Sequence, residues 1–145
     1  MDVGSERGEV ILVGELFIGI DVGTGSARAG LFDALGGLLA VGKHPLDIWS
    51  DDLGRVEQSS AQIWQAVCAA VREALTKGQV DARNVAGIGF DATCSLVVVD
   101  AQGGLAVSDS TYPERDVIVW MDHRARDQAK RINEGRSSSI SRSRC

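Results

Sequence analysis

The sequence is poor in the residues that build extracellular or metal-centred proteins. Its 145 residues hold three cysteines, Cys68, Cys94 and Cys145, with no CxxC spacing. An odd count without paired spacing argues against a disulfide framework, and a reducing compartment, hence a cytoplasmic location, is expected. Two histidines, His44 and His123, leave a zinc site short of ligands. No apolar run approaches the roughly 20 residues that span a bilayer. The opening stretch MDVGSERGEVILVGEL carries acids where an export signal carries bases. Basic residues are outnumbered, 15 against 20 acidic, for a net charge of −5, whereas a nucleic-acid surface needs a clustered basic face. A soluble, unexported protein with neither nucleic acid nor membrane as partner is expected.

What is present is ordinary for one globular domain: 44% hydrophobic and 24% charged residues. A chain of this length can bury roughly 68–70% of its unfolded surface. Residues 1–15 read as a lead-in. Leu16–Asp21 is a short apolar strand, Ala27–Asp33 a second, and the turn-like DALGG leads to a third at Leu38–Lys43, an antiparallel meander. After the polar stretch WSDDLGRVEQSS, Ser59 and Gln62 have capping-box spacing. Ile63, Trp64, Val67, Cys68, Val71, Ala74 and Leu75 then recur at helical spacing until Lys77-Gly78. Val85–Phe90, Ser95–Asp100 and Val117–Trp120 read as further strands, and DHRARDQAKRINEG as a solvated helix start. The tail RSSSISRSRC, residues 136–145, is nearly all Ser and Arg and is expected to be disordered.

The stretch FIGIDVGTGSARAGLFD poses the chemical question. An apolar strand ends at one carboxylate, Asp21, and Gly23-Thr24-Gly25 follows. A dinucleotide fingerprint fails, because the third glycine is replaced by Arg28 and a strand, not a helix, comes next. The P-loop spacing Gly37…Gly42-Lys43 also fails, since His44-Pro45 follows where Ser or Thr and a helix belong. Two readings remain: a hairpin loop whose N–H groups cradle phosphate, or a glycine-rich turn with Asp21 as a turn residue.

A second apolar run reaches a carboxylate at Asp91 in GIGFDATCSLVVVD, and a third reaches VIVWMDHRA. With GIDVGTGSAR, GRVEQSSAQIW and RINE, these segments resemble in order and spacing the FGGY carbohydrate kinases, of the actin-like, ribonuclease H-like ATPase superfamily. FDATCSLV and WMDHRA look most like the D-ribulokinase-type branch. The resemblance implies an incomplete ribonuclease H-like α/β domain, in which the three-strand meander is followed by a helix and further strands of a mixed sheet. It also implies transfer of the ATP γ-phosphate to a sugar hydroxyl, with a ketopentose such as D-ribulose as acceptor, or xylulose or another polyol. Asp21 would face Mg²⁺ through water, Gly23, Thr24 and Gly25 would form the phosphate loop, and Arg28 would lie near the transferred group. Asp91, Thr93 and Cys94 would form one wall for the sugar, and Trp120, Asp122 and His123 the other.

Each sugar residue has a structural alternative. Asp91 can cap a turn, Cys94 can fill space, Trp120 can be core, and His123 can sit on a helix's first turn. Arg124 and Arg126 read as a solvated face. The resemblance runs from Phe17 to about Glu134, which sets the domain as 16–135. The family's chains run on past this point, so its general-base aspartate and adenine-binding part would lie beyond the C-terminus, and no catalytic base is assigned here. The 145 residues alone are expected to show no kinase turnover and to expose Val97, Val99 and Ile118. A catalytically inactive sugar-binding or regulatory remnant is the alternative.

Overall fold

The computed structural model describes residues 15–104, 107 and 111–141; apart from Glu15, the expected lead-in lies outside them. In chain order come β1 (Leu16–Val22), β2 (Ser26–Asp33), β3 (Leu38–Pro45), β4 (Trp49–Ser50) and β5 (Val56–Gln58). Helix α1 (Ser60–Gly78) and a short 3₁₀ turn (Ala82–Asn84) precede β6 (Val85–Ala92). Then follow β7 (Leu96–Val97), β8 (Val99–Asp100), β9 (Gly103–Gly104), β10 (Val117–Ile118) and α2 (Arg126–Ser141).

β1, β2 and β3 form the expected antiparallel meander, and β6 returns parallel to β1, so the main sheet runs β3-β2-β1-β6. Strand alternation puts Leu16, Ile18 and Ile20 of β1 and Ala27, Ala29 and Leu31 of β2 into the core beneath α1. Each large member of this set contributes about 1.5–3 kcal/mol by leaving water. Helix and sheet meet closely: a Cβ at Gly42 would stand 2.0 Å from the Ala70 carbonyl oxygen, and Ala70 and Ala74 are fully buried. Only glycine permits that approach.

The Ser59 side chain caps α1 by accepting from Gln62 N–H. The reciprocal half of the capping box is not made. Gln62 instead turns to Asp47, accepting from its backbone N–H at 2.9 Å and donating to its carboxylate. The helix ends at Gly78, as expected, and its C-cap is Gln79, a non-glycine in the left-handed region at φ 54°.

Two further expectations change. The stretch Ser95–Asp100 is not one strand: β7 pairs with β10, while β8 pairs with β9 in a separate ribbon. The polar segment before α1 contains the β4–β5 hairpin, which extends the second sheet, ordered β4-β5-β10-β7. Helix α2 (Arg126–Ser141) runs across the boundary placed after residue 135, and residues 142–145 lie outside the described residues. Val97 and Val99 are exposed as expected, whereas Ile118 is half-buried between β5 and β7. Among the described residues no helix is long and apolar enough to cross a membrane.

Candidate functional site

The β1–β2 connection, Gly23 to Gly25, lies at the C-terminal end of β1 beside the end of β6. The carbonyls of Val22, Thr24 and Gly25 are engaged. Thr93 N–H donates to the Val22 carbonyl at 3.1 Å, Gln58 Nε2 to the Thr24 carbonyl at 2.8 Å and Leu46 N–H to the Gly25 carbonyl at 3.1 Å. Gly23 N–H closes the turn onto the Ser26 carbonyl at 3.0 Å. The N–H groups of Thr24 and Gly25 meet no acceptor among the described residues. A Cβ at Gly25 would project into open space, so glycine keeps the loop's outer surface bare. Carbonyls engaged by protein and amides left without a protein acceptor are what an anion requires of a backbone loop.

Register aligns the charged groups. Arg28, Asp21 and Asp91 stand side by side on β2, β1 and β6. Two residues along, Gly30, Gly19 and Gly89 form a second row without side chains. The result is an open trough of about 510 Å³, charged at one end and lined by Phe32, Leu38 and Val41 at the other. Arg28 Nη1 donates to Asp21 Oδ2 at 2.6 Å, each side chain about half exposed. Among the described residues no group of three or more His, Cys, Asp or Glu gathers. Any cation here therefore depends on one or two carboxylates, water and its ligand.

The expected sugar residues divide. Asp91 is exposed beside Asp21, and Cys94 is exposed on the loop after β6. The Thr93 hydroxyl lies 3.1 Å from Ser95 Oγ. Trp120 is exposed rather than core, and its Nε1–H donates to Thr24 Oγ1 at 3.1 Å, joining the far wall to the loop. Asp122 points inward. Its oxygens accept from Val56 N–H at 2.7 Å, Arg124 N–H at 2.9 Å and the Arg124 guanidinium at 2.7 and 3.0 Å. Burial pushes its carboxyl up, but the Arg124 side chain, the Val56 and Arg124 N–H groups and the Arg124 charge outweigh that and hold it at about 2. His123 packs on the turn at Gly54, where its N–H donates to the Gly54 carbonyl at 2.9 Å, and it precedes α2 rather than opening it.

Arg124 does not lie on a solvated face. It bridges Asp122 and the buried Glu57, at 2.7 and 2.6 Å, and the bond to Asp122, then that to Glu57, raises its pKa against the cost of burial. Arg126, by contrast, is exposed. Gln58, Glu57 and Asp116 carry structure that sequence reading gave no role. Asp116 holds the start of α1 by accepting from the Ser60 N–H at 2.7 Å and from its hydroxyl. The only signal for Glu57 and Gln58 was the brief run Val56-Glu-Gln before a helix cap, too short to read as a strand.

A meander, a crossing helix and a parallel return strand, with polar loops at shared strand ends, define an α/β domain of the actin-like ATPase type. The same fold is seen in a xylulose kinase from Rhodospirillum rubrum, with a TM-score of 0.70 at 24% identity over 83% of this chain and 23% of that one. The model of the FGGY family of carbohydrate kinases, N-terminal domain, matches residues 16–144, past the end expected near Glu134. A human FGGY carbohydrate kinase domain-containing protein is 46% identical over 86% of this chain and 22% of its own. A D-ribulokinase of Saccharomyces cerevisiae is 44% identical over 82% of this chain and 17% of its own. The chain belongs to the FGGY family of carbohydrate kinases and spans about a fifth of the length of these curated relatives.

Proposed function

We propose that this chain supplies the phosphate loop and one part of the sugar site for transfer of the ATP γ-phosphate to a ketopentose such as D-ribulose. The observation that carries the reading is the loop itself, whose Thr24 and Gly25 carbonyls are held by protein while the Thr24 and Gly25 N–H groups meet no acceptor among the described residues. Magnesium fits this donor set. It keeps most of its water and is usually held by one or two carboxylates plus substrate phosphates, a role that Asp21 can fill through water. When bound it would neutralise charge on the phosphates. The residues of the chain do the positioning: loop amides orient the phosphates, and Arg28, now on Asp21, turns to the anion. Asp91 and Thr93 accept sugar hydroxyls, while Trp120 offers its ring face to sugar C–H groups. Such reactions rest on positioning and charge stabilisation. No base is assigned within the chain, and Asp91 stays with the sugar wall.

The test is an amide and indole NMR titration of the chain with Mg·ATP, then with D-ribulose and D-xylulose. Shifts at Thr24–Ser26 with nucleotide, and at Asp91, Thr93 and the Trp120 indole with sugar, are expected, larger for D-ribulose. Unmoved loop amides at millimolar Mg·ATP would falsify the phosphate-loop reading. Equal shifts for both sugars would remove the preference for D-ribulose.

A further inference from the structure

Thr24, at the tip of the loop, is gripped at two points by residues distant in sequence. Its carbonyl accepts from Gln58 Nε2 at 2.8 Å, across 34 positions, and its hydroxyl accepts from Trp120 Nε1 at 3.1 Å, across 96. Gln58 is 2% exposed at the end of β5, and β5 pairs with β10, the strand that leads to Trp120. Both grips therefore come from the small second sheet and reach across to the main one. A buried amide donor with one short bond to a loop carbonyl has a clear electrostatic effect. It pulls that carbonyl's negative end inward, away from where an anion would lie, and leaves the peptide dipole's positive N–H end outward.

We infer that Gln58 and Trp120 are positioning residues that lock Thr24 in the anion-accepting conformation, and that through Trp120 the lock couples occupancy of the sugar wall to the phosphate loop. The inference rests on the phosphate-loop reading. Gln58 touches no ligand itself; its action passes through the Thr24 carbonyl. Trp120 has two faces of use, its ring toward the acceptor and its N–H toward Thr24. A ligand that orders the indole thereby orders Thr24, and an anion that orders Thr24 orders the indole. Coupling of this kind is reciprocal.

The experiment is a titration of the 145-residue chain with Mg·pyrophosphate, followed at the Thr24–Ser26 amides and the Trp120 indole. It compares the unmodified chain with Gln58→Leu, Gln58→Glu and Trp120→Phe, using core amides of β1 and β2 as the folding control. Losing one net hydrogen bond of about 1 kcal/mol corresponds to about fivefold weaker pyrophosphate binding, expected for Gln58→Leu and Trp120→Phe alike. Increased mobility should be confined to Thr24 and Gly25. Gln58→Glu adds a signature that a packing role cannot produce. Ionised, its carboxylate repels the Thr24 carbonyl; protonated, it donates to it. Its binding, relative to the unmodified chain at each pH, should therefore recover as pH falls toward the carboxyl's pKa, which burial lifts above about 4.3. Should Gln58→Leu lose its fold, Gln58→Glu above and below that pH carries the comparison within one folded protein.

If the unmodified chain leaves its loop amides unmoved, the phosphate-loop reading fails and the lock fails with it. If it binds and all three variants bind equally at every pH, the reading stands and the lock is wrong. Binding weakened in Gln58→Leu with a Trp120 indole that never responds to pyrophosphate overturns the coupling.

Discussion

Asp21 and Arg28 meet at 2.6 Å on an open trough, with side chains 50% and 47% exposed; Asp122 and Arg124 meet at 2.7 Å with side chains 3% and 23% exposed. The first pair leaves lone pairs and N–H groups facing solvent, free to exchange partners when a ligand arrives. The second is closed. Val56 N–H and Glu57 complete its coordination, and it ties the end of β10 to the β4–β5 hairpin. An aspartate that follows an apolar run can thus be a ligand-facing group or a structural bolt. Water access, not residue type, separates the two roles.

The largest expected effect tests the bolt. Arg124→Met removes the guanidinium that bridges Glu57 and Asp122 in a mostly buried place, a loss of about 3 kcal/mol or more, read as a lower urea midpoint at pH 7. Arg28→Met, at the exposed pair, is expected to cost less than about 1 kcal/mol. Equal losses would erase the distinction between the pairs.

Acid offers a second, intermediate test. The Asp122 carboxyl is held at about 2 in the folded chain against 3.8 ordinarily. A depressed folded pKa contributes stability above the unfolded pKa and loses it as pH falls through the folded one. Asp122 should therefore contribute roughly 2 kcal/mol above about pH 4, disappearing between about pH 4 and pH 2. Unfolding free energies of the unmodified chain and Asp122→Asn should converge over that window. Parallel curves would mean that the carboxylate is not stabilised by its partners.

The smallest effect on stability, and the most telling for function, belongs to Asp21→Asn. A shift below about 1 kcal/mol is expected for this exposed partner. Pyrophosphate binding should lose its dependence on magnesium, because the carboxylate proposed to face the cation is gone. A variant still responding to magnesium as the unmodified chain does would move the cation away from Asp21.

Much of the main sheet could be read directly. The alternation in LFIGIDV and SARAGLFD, and the turn where Asp33 accepts from Leu35 and Gly37 N–H at 2.9 and 2.7 Å, are local features that any neighbour would respect. The apolar run Ser95–Asp100 misled because β propensity says nothing about partners: Val97 found Val117 and Val99 found Gly104. Gln62 kept its capping position but gave its side chain to Asp47, a competitor fifteen residues away that no capping rule includes. For the site, Asp21, Thr24 and Asp91 could be nominated from glycine spacing and strand ends, and Trp120 from the family resemblance. Gln58 could not, since its role exists only once β5 lies across the loop.

The sequence by itself determined the meander, helix α1 and the Gly-Thr-Gly loop after a lone carboxylate, because periodicity, capping and turn chemistry act over a few residues. Tertiary structure decided which charges reach water and which groups hold Thr24. Burial of Asp122 depends on a backbone N–H 66 positions away, and the grip on Thr24 on side chains 34 and 96 positions away. Such contacts form only when two sheets meet, and no local pattern encodes their meeting.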